Sequence, residues 1–122
     1  MNDYEDIFTL PQEMILNESV KSFYEENGIG ITIVTVESIN PYDNIFKYSI
    51  DLAIASNTGK ILIVISKKLR QIRIQNSDSI KDKLTDAETT NILDNIVLPK
   101  IKQNEYFKAL LDGIMEIKKE LS

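Results

Sequence analysis

The chain has 122 residues, 43% hydrophobic and 27% charged, with a net charge of −5. That size and composition fit one globular domain with one core, and the acidic balance excludes nonspecific nucleic-acid binding, which needs a basic surface to displace counterions. With no cysteine and no histidine, disulfides, thiolate chemistry and the commonest general base are excluded, and a metal would need oxygen ligands, which favours Ca²⁺ or Mg²⁺.

Asp3 to Phe8 reads as a short lead-in. Thr9 and Gln12 form a T-x-x-Q capping box with Pro11 in the first turn, so a helix is expected over about 10–27. Leu16, Val20 and Phe23 give it an apolar face, and Gly28 ends it in the left-handed conformation. Gly30 to Val36 is β-branched and apolar, the pattern of a strand covered on both faces. Asn40 and Pro41 then cap a second helix whose buried stripe is Ile45, Phe46, Ser49, Ile50, Ala53 and Ile54.

Ile61 to Ile65 is a second buried strand, and Arg70 to Gln75 alternates as a half-exposed one. The short Ser66–Leu69 link predicts an antiparallel hairpin between them. The first two strands flank a helix and should therefore run parallel. Thr85 and Glu88 form a second capping box, with Asp86 in the first turn where the helix dipole favours a carboxylate. Pro99 is expected to end that helix at a corner. Phe107, Leu110, Leu111, Ile114, Ile117 and Leu121 then mark one face of a last helix. The sum is a three-layer α/β/α sandwich. Its small mixed sheet has two parallel buried strands and one antiparallel hairpin strand, flanked by about four helices.

Basic residues are dense only at Lys67, Lys68, Arg70 and Arg73, which read as a solvated hairpin or as an anion patch. Strand directions send the Ser56–Gly59 loop and the 76–86 stretch to one end of the sheet. Asn57, Asn76, Asp78, Asp82 and Asp86 should then converge as oxygen donors for Ca²⁺, although capping and solvated loop polarity explain the same residues. The spacing is not that of an EF-hand loop. No apolar run approaches the ~20 residues of a membrane span, and the acidic MNDYEDIF start lacks the features of a signal peptide.

The Leu84-Thr85-Asp86-Ala87 opening, a proline about a dozen residues on and the Tyr106-x-x-Ala109-Leu110 helix together resemble the TPM domain family. Gly28 to Val36 is similar to that family's G-x-q-[IV]-x-V-V-T-V strand, and the spacing from Arg73-Ile74 to Asp86 is also kept. The resemblance runs from about Asp3 to Ile117, so one TPM-like domain is expected over residues 1–122. The family's D-N-G-[VI]-L and G-x-G-L-E motifs correspond to Asn57-Thr58-Gly59-Lys60-Ile61 and Ser77-Asp78-Ser79-Ile80-Lys81. Asp3, Gly59, Arg73 and Asp86 survive, but two glycines have become serine and the acid has become Lys81. The resemblance implies a non-catalytic or weakly Ca²⁺-binding interaction or accessory domain, with Asp86, Asn57, Asp78 and Asp82 as the metal set. It also implies a protein partner and a cell-envelope or membrane-associated setting. Attachment would run through segments absent from this chain, and both an excised domain and a soluble protein fit the sequence. The alternative it implies is a metal-dependent acid phosphatase acting on phosphate monoesters.

Overall fold

A computed structural model describes residues 2–38, 45–56 and 60–121. Helix α1, Leu10–Asn27, starts at Thr9, where both halves of the capping box form, and ends at Gly28 with φ 68°. Strands β2, Ile31–Thr35, and β3, Ile61–Ser66, pair in parallel with Ile31 opposite Ile61. Both are buried along most of their length, as their β-branched runs require. Strand β4, Gln71–Asn76, closes an antiparallel hairpin with β3.

The lead-in also holds a strand that the sequence does not signal. Asn2–Asp3 forms β1, paired in parallel with Val34 and Thr35, and the sheet order is β1-β2-β3-β4. Two polar residues carry no alternation, so what holds them is polar contact. The fully buried Thr35 hydroxyl donates to Asp3 Oδ1 at 2.6 Å and accepts from the Glu5 amide. Asp3 also accepts from the Ile7 and Phe8 amides, while the Glu5 carboxylate receives the Lys67 and Lys68 amides of the hairpin turn.

Burial alone would push the Asp3 carboxyl up, but the Thr35, Ile7 and Phe8 hydrogen bonds outweigh it and hold it below its ordinary value. A depressed carboxylate contributes stability above its unfolded pKa and loses it as pH falls through the folded one. We therefore expect the domain to lose stability below about pH 4, and Asp3→Asn to remove part of that dependence. Urea midpoints of both proteins at pH 7 and pH 3 check this; equal acid losses in the two would refute it.

Helix α2, Ile45–Ser56, covers one face of the sheet, where Ile45, Tyr48 and Leu52 meet Val34, Val36, Leu62 and Val64. The residues expected to cap it, Asn40 and Pro41, lie outside the described set. The opposite face carries the larger core, in which Ile33, Ile61, Ile63 and Ile65 pack with Leu16, Phe23, Leu110 and Ile117. This is the expected three-layer arrangement.

Helix α3, Asp86–Ile92, starts at Thr85 with the capping box complete. Thr85→Ala should destabilise the domain by ~1 kcal/mol through loss of the N-cap bond, read as a lower denaturant midpoint. Pro99 does not end the helical rod. A π-helical stretch, Leu93–Val97, leads directly into α4, Leu98–Lys102, with Pro99 in its first turn. The Leu98 amide reaches back to the Leu93 carbonyl, so the helix widens by one residue just before the proline. Pro99 is thereby tolerated at a new helix start, where its missing donor costs least. The corner falls later, at Asn104 with φ 62°, before α5, Tyr106–Leu121. Among the described residues no helix is long and apolar enough to cross a membrane.

Candidate functional site

The hairpin carries β4 to the sheet end from which β3 begins, and the Ser77 amide donates to the Lys60 carbonyl there at 2.7 Å. The 76–86 stretch therefore does return to the end of the sheet at which β3 starts, as strand direction requires. Asn57 lies outside the described residues. Asn76 is 5% exposed, and its amide nitrogen donates to the Thr89 hydroxyl at 2.7 Å, which ties β4 to α3 rather than facing solvent. Its Oδ1 is buried with no hydrogen-bond partner among the described residues. Asp82 is exposed and makes no hydrogen bond or ion pair among them.

Asp78 and Asp86 do come together, and the group between them is Lys81. Asp78 opens a short 3-10 turn, Asp78–Ile80, and Asp86 opens α3, so both carboxylates sit at helical starts. Lys81 follows the turn and reaches both, with Nζ 3.1 Å from Asp78 and 3.5 Å from Asp86. The hydrogen bond to Asp78, followed by the charge of Asp86, raises the Lys81 pKa above its ordinary value. The ammonium thus stands where an oxygen-bound cation would bridge the two acids. Among the described residues no three acidic side chains gather as a metal-holding group.

Lys81 and Asp86 also line a cleft of about 280 Å³ beside β4, between α2 and α3. Arg73 and Gln75 of β4 enter it from the sheet, and Thr89 and Thr90 from α3. Gln75 Oε1 is buried there with no hydrogen-bond partner among the described residues. The two threonines stand three and four residues after Asp86, one helical turn on and hence on the same face. That spacing is the one sequence signal that points to them. The cleft is lined by two cations, one carboxylate and two hydroxyls on a partly apolar wall, the Thr89 hydroxyl being already held by Asn76 and the Thr85 carbonyl. This set can hold an anionic or hydrogen-bonding group.

A model of the TPM domain matches residues 1–120. No curated protein matches the chain. Among solved structures, the fold is similar to the N-terminal domain of a protein from P. gingivalis, with TM-score 0.87 and 19% identity, over 98% of this chain and 80% of that one. The BA42 protein of Bizionia argentinensis gives TM-score 0.81 and 17% identity, over 97% and 83%. The N-terminal domain of the cg2496 protein of Corynebacterium glutamicum gives 0.81 and 16%, over 99% and 78%. At these identities the likeness is one of fold.

Proposed function

Because the chain belongs to the TPM domain family, we propose that it is a non-catalytic interaction or accessory domain that holds Ca²⁺ weakly at best. The observation that supports this reading is the position of Lys81 between Asp78 and Asp86. A divalent ion binding through Asp86, with Asp78, Asn57 or Asp82, has to displace a tethered ammonium that is already paired. Ca²⁺ recruits six to eight oxygen ligands, and affinity falls as the number of charged ligands falls, so such a site belongs near the ~10⁻⁴–10⁻³ M end of protein sites. A protein partner and a cell-envelope setting are part of the proposal and rest on the family likeness alone.

Phosphate-monoester hydrolysis is the competing reading, and the Arg73–Lys81 pair in one cleft is what favours it. That reaction has a very high uncatalysed barrier and needs a positioned nucleophile or base together with its cationic clamp. The chain has no histidine or cysteine for either role, and Asp86 is engaged by Lys81. An aryl phosphate assay with Ca²⁺ and with Mg²⁺ separates the readings. Turnover at the buffer rate is expected. Robust hydrolysis that disappears in Asp86→Asn would overturn the proposal in favour of the enzyme.

A further inference from the structure

The two edges of the sheet are not alike. On one side β1 is only two residues long, so little strand is open to pairing. On the other, β4 is a full strand of six residues, and no described segment pairs with its outer side. The hydrogen-bond parity shows which of its groups face outward. The Val36 amide donates to the Ile65 carbonyl and the Ile61 amide to the Gly30 carbonyl, so Ile61, Ile63 and Ile65 turn their backbone towards β2. Leu62, Val64 and Ser66 must then bond to β4, through their partners Gln75, Arg73 and Gln71. Ile72 and Ile74 are left with their amides and carbonyls directed away from the sheet.

We propose that this outer edge is a docking strand for an extended segment of a partner protein that alternates acidic and apolar residues. The proposal rests on the reading of the chain as an interaction domain and names the surface and the kind of partner. Alternation along β4 sets the pattern, with Ile72 and Ile74 on one face of the sheet and Gln71, Arg73 and Gln75 on the other. A fifth strand in register places like side chains beside like faces, apolar next to the isoleucines and acidic next to Arg73. Charge supplies the choice of occupant. Residues 61–77 carry Lys67, Lys68, Arg70 and Arg73 and no carboxylate of their own, in a chain whose net charge is −5. Glu5 and Glu37 meet the turn at Lys67 and Lys68, and Arg70, directly before β4, is its cation at this edge. A second copy pairing antiparallel through Ile72 and Ile74 would set Arg73 directly against its own copy, a like-charge pair that disfavours that register. Gln75 Oε1, buried in the adjoining cleft with no hydrogen-bond partner among the described residues, is an acceptor that an incoming donor satisfies. Main-chain bonds to Ile72 and Ile74 provide attachment, and the basic turn selects for acid, the division of labour in strand addition.

The test is an amide NMR titration with a capped octapeptide of alternating Glu and Val. Ile72 and Ile74 signals are expected to shift and to gain protection from exchange, and Arg70→Glu to weaken binding about tenfold. The same peptide with Lys for Glu, or with alternate amides N-methylated, is expected to bind at least tenfold more weakly. Equal binding by the N-methylated peptide would show charge attraction without strand pairing and overturn the proposal. So would shifts confined to other elements, or no binding at millimolar peptide. An edge that stays silent in a catalytically inactive domain removes this inference alone, whereas phosphate hydrolysis removes the reading beneath it.

Discussion

Lys81→Glu is expected to raise calcium affinity at least tenfold over the wild-type chain. The substitution removes the ammonium that bridges Asp78 and Asp86 and puts a third carboxylate at the same point of the 3-10 turn. Two unit charges of difference act on the ion at contact distance, and tenfold requires only about 1.4 kcal/mol. Even with the strong screening at an exposed site, that much is within reach of a charge reversal. The cost is local repulsion among three acids in the metal-free domain, so its melting temperature should fall without calcium and recover with it. Isothermal titration of both proteins under one set of buffers reads the change. Equal affinity would show that Lys81 is a surface ion pair with no bearing on cation binding.

Phe23→Ala should cost about 3–5 kcal/mol, a large share of the 5–15 kcal/mol that holds a domain of this kind together. Phe23 is 1% exposed and lies on the inner face of α1, where it joins the cluster with Leu16, Leu110, Ile114 and Ile117. Truncation removes a ring from between two helices and the sheet. The neighbours are anchored in three elements and cannot all close on the gap, so the cavity penalty adds to the lost transfer energy. A denaturant midpoint displaced by less than about 1 kcal/mol would mean that α1 relaxes onto α5 far more freely than this packing implies.

Both capping boxes, the parallel pairing of the apolar runs and the hairpin follow from local pattern and connectivity, and each appears in the structure where they place it. They are legible because single residues or short periods determine them. Strand β1 is not legible, because Asn2 and Asp3 become a strand only when a buried threonine 32 residues from Asp3 supplies a partner. Pro99 misleads for a related reason. Its effect on the rod depends on the π turn before it, and nothing in Leu93–Val97 announces one. At the candidate site, the sequence marks Asp78 and Asp86 as acids at one end of the sheet. It marks Lys81 as the position where an acid of the TPM pattern is missing. That Lys81 joins the two acids depends on the geometry of the turn, as does the cleft that Arg73, Thr89 and Thr90 share with them.

Whether a tethered ammonium or a divalent ion occupies the point between Asp78 and Asp86 decides what this site does. The most direct measurement is an NMR calcium titration of the wild-type domain that follows the Lys81 side-chain carbon and nitrogen signals. If the ammonium holds that point, its signals stay at their paired positions through micromolar calcium and move, if at all, only near ~10⁻⁴–10⁻³ M. Displacement of Lys81 that saturates at micromolar calcium, and that Asp86→Asn abolishes, would contradict the account and make the site a calcium centre.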